Sequence, residues 1–382
     1  MDDHSSSENP EKPRILVFVT AYHPLIGGAE IALGEITRRM PDVFFDIVTP
    51  RYSLDYPEYE IEKNVSIHRI GPSGSLAKWL FPITGCFKGW SLSKEHKYNA
   101  IHSWQASHAG GAAWNLSLWR HSIPFILTLQ EGKDLPNQSA FVKFFRNIIL
   151  KRANKITAIS NYLADYARSV NEQASVMRIP NGVDVKHYKQ GATSEEKEEL
   201  KKKYKIKEGD TVLITTSRLV YKNGIDDVLY ALSLLKNESY KFLILGTGDR
   251  KQNFESLSRK LGIDEQVHFF GDVPNQIVPR YLSIADMFIR PSRSEGLGVS
   301  FLEAMAAGVP IIATLVGGIP DFLKDEETGL MCKPDDPQSI VKAIEKLKDD
   351  KLKKEIIQNA RSLIESEFTW DKIAKQYREI YK

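Results

Sequence analysis

The chain has 382 residues, 42% of them hydrophobic and 26% charged, a composition that fits two ordinary domains with full cores. Its 52 basic and 49 acidic side chains leave a net charge of +3, too close to balance for wholesale nucleic-acid binding. No apolar run approaches the roughly 18 residues of a membrane span. Cys86 and Cys332 match no metal or redox spacing, which argues for a reducing, cytoplasmic setting.

Residues 1–13 are acidic, Ser-rich and bounded by proline. They read as a disordered tail without the basic and apolar regions of a secretory signal. From Arg14 the chain alternates strand and helix. The run at 15–19 (ILVFV) suits a buried parallel strand, and a turn at Gly27-Gly28 leads into Ile31, Leu33, Ile36 and Met40 at helical spacing. Further strands are expected at 44–48, 65–69, 100–103, 125–129 and 155–159, each bounded by Gly, Pro, Asn or Asp. Ile179-Pro180-Asn181-Gly182-Val183-Asp184 then breaks the rhythm.

A charged helix at 194–205 opens the second half. Strands are expected at 211–216, 242–245, 267–270, 287–289, 310–313 and 329–331. Two successive βαβ series imply an α/β protein of two doubly wound, Rossmann-like domains facing a cleft. The expected division is 14–188, 189–366 and a terminal helix at 367–382. That helix carries Trp370, Ile373, Tyr377 and Ile380 on one face, so it must dock on something.

The most informative stretch is Arg290-Pro291-Ser292-Arg293-Ser294-Glu295-Gly296-Leu297-Gly298, which runs into a helix. A helix N-terminus presents unpaired N–H groups and attracts phosphate, and Gly296 and Gly298 let a ligand approach the backbone. Glu295 and Glu303, eight positions apart, can each accept hydrogen bonds from vicinal hydroxyls of a sugar. A second loop, Thr216-Ser217-Arg218-Leu219-Val220-Tyr221-Lys222-Asn223-Gly224, follows a strand. Arg218 and Lys222 there suit a diphosphate. Gly246-Thr247-Gly248 lacks the third glycine of a dinucleotide fingerprint, since that position holds Lys251. Gly27-Gly28 could meet a phosphate or an acceptor group in the first half.

These stretches, in this order, resemble the retaining glycosyltransferases of family four (glycosyl transferases group 1), with their Glu-x7-Glu signature and GT-B fold. The resemblance spans nearly the whole chain and includes Gly271-Asp272-Val273, Gly317-Gly318-Ile319-Pro320 and Thr328-Gly329-Leu330. It implies that Arg218 and Lys222 grip the diphosphate of a UDP-sugar or GDP-sugar and that Glu303 holds the ribose. Glu295, with amides near Gly296, Leu297 and Gly298, would hold the transferred sugar. Gly28 and Gly246 would border the donor, and the base would lie near Asp272–Val273. No cofactor and no metal are expected, and the sequence contains no Asp-x-Asp pair. The terminal helix would cross back to the first domain.

The resemblance loosens in the first half. Where the family commonly has His-x-His, this chain has His102-Ser103-Trp104, and Gln130 replaces a further histidine. The acceptor side is expected at Gly27, Gly28, Trp104, Gln130 and Glu131, with His102 as the catalytic histidine; either that face is built differently, with His102, His108 or Glu131 compensating, or the enzyme is impaired. Lys222 also sits one position early relative to the family's Lys-Gly. The acceptor is expected to be a glycan or a lipid-linked group, on the inner face of a membrane. Residues 141–155, basic and aromatic, are a candidate for peripheral membrane contact, and Lys78, Trp79, Phe81, Phe87, Lys88 and Trp90 form a second such region. Two other readings use the same donor residues: a sugar-nucleotide epimerase of this fold, and a non-catalytic sugar-nucleotide-binding protein.

Overall fold

The computed structural model describes residues 12–25, 27–130, 138–235 and 239–382. Residues 1–11, most of the expected tail, and Glu131 lie outside them. In the first domain the apolar runs form β1 (Arg14–Phe18), β2 (Phe44–Pro50), β3 (Tyr59–Glu62), β4 (Val65–Ile70), β5 (Ala100–Trp104), β6 (Phe125–Leu129), β7 (Lys155–Ala158) and β8 (Ser175–Arg178). Their order in the sheet is β3-β4-β2-β1-β5-β6-β7-β8, and all pairs are parallel except β3 with β4. The second domain holds β9 (Thr211–Thr216), β10 (Tyr240–Leu245), β11 (Val267–Gly271), β12 (Met287–Arg290), β13 (Ile311–Thr314) and β14 (Leu330–Cys332). These run parallel in the order β11-β10-β9-β12-β13-β14.

Alternation along β1 shows how each sheet is clothed. Leu16 and Phe18 point into a core shared with the helices Ser75–Glu95 and His108–Trp119, while Ile15 and Val17 face Gly28–Arg38 and the terminal helix Trp370–Tyr381. Successive strand side chains take opposite faces, so one buried strand serves two cores. The terminal helix inserts Trp370, Ile373, Tyr377 and Ile380 into the first domain's core. Arg39 pairs with Asp371 at 2.8 Å and Arg378 with Asp42 at its edges.

The chain crosses between the sheets twice, side by side: the Val183 amide donates to the Phe368 carbonyl at 2.7 Å. The helix Val185–Gln190 lies in the first crossing and packs on the second domain's helix Val299–Ala307. Strand order reverses between β1 and β5 and again between β9 and β12. In open α/β sheets, ligands bind beyond the strand ends at such switch points.

Candidate active site

The loops after β9 and β12 leave neighbouring strands at the second domain's switch point. The first loop is braced by Asn223, whose side-chain amide donates to the Arg218 carbonyl at 2.7 Å. The second is tied to the first by Arg293. Its guanidinium reaches Asp226 at 2.9 Å, Asp227 at 3.0 Å and Asp335 at 2.7 Å, and lies 4.3 Å from the Tyr221 ring. The Arg293 amide also donates to the Lys222 carbonyl at 2.7 Å. Burial raises the Asp227 carboxyl to about 6, against the pull of Arg293. Both loops therefore behave as one unit.

A cavity of about 370 Å³ opens beside them, lined on the donor side by Thr216, Ser217, Arg218, Gly246, Val273 and Glu303, and faced by Gly28 of the first domain. The Arg218 side chain is exposed and has no hydrogen-bond partner among the described residues. The hydroxyls of Thr216 and Ser217 are buried and also lack one. Buried polar groups left unpaired in a cavity mark a place for a polar ligand. Gly246 is required here: at φ +138°, a Cβ would overlap the Ser217 carbonyl oxygen.

Glu303 stands on the helix Val299–Ala307, partly buried, and burial raises its pKa while the Tyr188 hydroxyl and Arg290 oppose the rise. Tyr188 donates to Asn275 at 3.2 Å, so the crossing helix props one wall of the cavity. Gly298 caps the helix at φ +90°, where a Cβ would strike Phe301 and the Arg290 guanidinium. Gly296 is buried and Leu297, 1% exposed, points into the core. Neither lines the cavity, although their loop carries its helix terminus.

Glu295 is placed differently from the expectation. Its carboxylate turns onto Arg290 at 3.0 Å and accepts the Gly296 amide at 3.0 Å instead of facing the cavity. Arg290 is buried, bonds Ser300 at 2.6 Å and the Thr216 carbonyl at 3.3 Å, and lies 4.2 Å from the Phe301 ring. It links the ends of both donor loops. Lys222 stays near the site, with its ammonium 3.4 Å from the Ser294 carbonyl. Burial lowers its pKa against the opposing pull of Glu295, and Arg290 and Arg218 add to the lowering.

The first domain corrects several expectations. His102 is fully buried and away from any cleft: Nδ1 meets the Tyr381 hydroxyl at 2.8 Å and Nε2 meets Thr128 at 2.7 Å. Burial drives its pKa down to about 3, so it is a neutral core group. Trp104, two residues on, shares that strand face and is also fully buried. It stacks near Tyr377 and donates to the Ala29 carbonyl at 2.9 Å. It supports the Gly27-Gly28 turn from beneath and offers no acceptor surface. Gln130 exchanges hydrogen bonds with Asn181 at 3.1 and 2.9 Å. Gly27 caps the helix Gly28–Arg38, and Glu30 folds its carboxylate back onto the amides of that terminus. His108 begins the helix after β5, half-buried against Trp79, and is the histidine at the first sheet's switch point. Thr216, Ser217, Tyr188 and Asn275 were not singled out from sequence. Only the first two carried a signal, as polar residues directly at a strand's C-terminal end.

Two parallel-sheet Rossmann-like domains with a returning terminal helix define the GT-B architecture of glycosyltransferases. The family profile "Glycosyltransferase Family 4" matches residues 26–187 and "Glycosyl transferases group 1" matches 196–363. The chain is 30% identical over 338 residues to TuaC of Bacillus subtilis, named for teichuronic acid biosynthesis, covering 85% of this chain and 82% of that one. It is 25% identical to the N-acetyl-alpha-D-glucosaminyl L-malate synthase of Bacillus anthracis, over 96% of this chain and 97% of that one. HepE of Anabaena, solved in complex with UDP and glucose, superposes with a TM-score of 0.79 at 18% identity, over 96% of this chain and 99% of that one. The chain belongs to the group 1 glycosyltransferases and is an enzyme of hexosyltransferase type.

Proposed function

We propose that the enzyme moves a sugar from a UDP-sugar or GDP-sugar to a hydroxyl of a glycan or lipid-linked acceptor, with retained anomeric configuration and without a metal. The observation that carries this reading is the cavity at the β9/β12 switch point, where an unpaired guanidinium, orphan hydroxyls and a partly buried carboxylate converge. Arg218 and Lys222 bind the diphosphate, and the N-terminus of Val299–Ala307 adds its amides. Glu303 accepts the ribose hydroxyls, and the base lies along Asp272–Val273. Glu295 fixes the loop edge that faces the transferred sugar.

Charge grows on the diphosphate as it departs, and preorganised cations stabilise that charge more than the ground state. The acceptor hydroxyl attacks from the same face, and its proton passes to the departing phosphate oxygen. Closure about the paired crossings at Val183 and Phe368 aligns the two substrates and excludes water. HepE's complex with UDP and glucose supports a uridine nucleotide as donor, and TuaC's name supports a cell-surface glycan as acceptor. A thermal-shift panel of UDP-, GDP- and ADP-sugars identifies the donor, because a ligand that binds only the folded state raises apparent stability. The product's anomeric coupling constant and turnover in excess EDTA then test retention and metal independence. An inverted product or an EDTA-silent enzyme would overturn the reading.

A further inference from the structure

The helix Ser75–Glu95 buries Ala77, Phe81, Gly85 and Gly89 and exposes Trp79, Ile83 and Phe87 on its outer side. Along its last turns Lys88, Leu92 and Glu95 run beside the sheet edge, where they border a cavity of about 640 Å³. The sheet continues past the helix through β4 and the antiparallel β3, so this edge has no helical cover. Register sets the floor: β2 places Asp46 opposite Ser66 of β4, and β3 places Tyr59 opposite His68 and Ile61 opposite Ser66. Arg14, Phe44 and Asn64, which also line the cavity, lie at the first residues of their strands or just before them. The cavity therefore opens at the strand ends opposite the cleft, across the seven residues of β2, on the order of 20 Å away.

Its polar groups are unevenly satisfied. Asp46, 2% exposed, accepts from Arg14 at 2.8 Å and from the Tyr98 hydroxyl at 2.7 Å. His68 is 8% exposed, and its Nε2, 3.7 Å from Asp46, is buried without a hydrogen-bond partner. A buried polar group left unpaired at a cavity marks a place for a polar ligand. The Tyr59 ring lies over His68 with centroids 5.0 Å apart and is itself 53% exposed. Most charges in the lining cancel: Arg51 pairs with Glu58 at 2.6 Å, Glu60 with Arg69 at 2.8 Å, and Arg14 with Asp46. Lys63, on the β3–β4 turn, and Lys88, on the helix, enter from opposite walls and form no ion pair among the described residues. Against these two, Glu95 is the lining carboxylate that no cation neutralises.

We infer that this cavity binds a uronate unit of an acidic glycan. Tyr59 offers an aromatic face to the C–H face of a sugar ring. Ser66 and His68 meet its hydroxyl edge, and Lys63 and Lys88 hold the carboxylate. The balance of two lysines against Glu95 suits a ligand of one negative charge. A nucleoside diphosphate is disfavoured, because Ser75–Glu95 ends here and its last carbonyls carry partial negative charge beside Glu95. Those carbonyls accept hydrogen bonds from sugar hydroxyls instead. The site is remote from the cleft, so it grips a part of the glycan other than the reacting hydroxyl. Binding here does not depend on the transfer reading.

The test is titration calorimetry of the full chain with tetragalacturonate, maltotetraose and inorganic phosphate, with no nucleotide present. Tetragalacturonate should bind at one site, at least about tenfold more tightly than either of the others. Combined Tyr59→Ser and Lys88→Gln should weaken that binding at least about tenfold, with melting temperature and nucleoside diphosphate affinity unchanged. Absence of binding at millimolar tetragalacturonate overturns the inference, as does a variant that binds like wild type. Phosphate binding as tightly as the oligosaccharide would reduce the site to an anion site and overturn the sugar assignment. Competition between UDP and tetragalacturonate would place the oligosaccharide in the cleft and contradict a remote site.

Discussion

The two domains share a fold and use their switch points differently. In the second domain, the strand ends at 216 and 290 run into loops crowded with charge, and Arg290 and Arg293 bind those loops into one frame around a polar cavity. In the first domain, the corresponding strand β5 ends in His102, Ser103 and Trp104, and its side chains are absorbed by packing against a helix from the far end of the chain. One domain displays its chemistry in contiguous loops. The other spends its polar residues on cohesion and keeps an apolar outer face.

Replacing the frame should have the largest effect. Arg290→Met leaves the Glu295 carboxylate facing an apolar neighbour, and breaking a buried pair from one side costs about 3–5 kcal/mol. Denaturant unfolding should show this loss. A variant as stable as wild type would mean that the donor loops hold without their internal ion pair. Removing a ligand group instead should leave the frame intact. Arg218→Ala is expected to keep its unfolding midpoint and to lose about 2–4 kcal/mol of transition-state stabilisation, read as kcat/KM. A large drop in stability would place Arg218 in the frame after all.

The first domain is sharpened by pH. Burial lowers the His102 pKa from the ordinary histidine value of 6.5 to about 3 in the folded protein, so the unfolded chain binds the proton more readily. The stability this group contributes is complete above pH 6.5 and is lost as pH falls towards 3. By pH 5 the loss amounts to about 2 kcal/mol relative to pH 7. His102→Gln should flatten that part of the profile while leaving donor affinity as it is. A variant that keeps the full slope, or loses UDP binding, contradicts a core role.

The smallest contrast lies within the signature itself. Glu303→Gln should weaken the nucleoside diphosphate and the nucleotide sugar alike, by about 1.5 kcal/mol for a hydrogen bond to a charged group. Glu295→Gln should spare the diphosphate and weaken only the intact donor, with some loss of melting temperature because Arg290 is partly released. Identical losses for both variants with both ligands would remove the division of labour.

What could be read in advance follows the same divide. Central strands such as β6 and β9 appear with the expected limits, because strands buried on both faces are runs of apolar and β-branched residues without charges. The edge strands β3 (YEIE) and β8 (SVMR) were missed. Each is short, largely exposed and without such a run. Arg218 and Glu303 were legible because their loops are contiguous motifs beside a strand end. His102 was misplaced because its partners, Tyr377 and Tyr381, follow some 275 residues later, and local spacing carries no trace of them. The capture of Glu295 by Arg290 was hidden for a different reason. Both residues belong to one recognisable motif, and only side-chain directions show that they satisfy each other.

Titration calorimetry of UDP and of GDP into wild type and Arg218→Ala tests the donor site most directly. The cavity at the second switch point predicts that wild type binds one of them at a single site and that the variant binds it at least about tenfold more weakly. Equal affinity of the two proteins for that nucleotide would show that the diphosphate binds elsewhere.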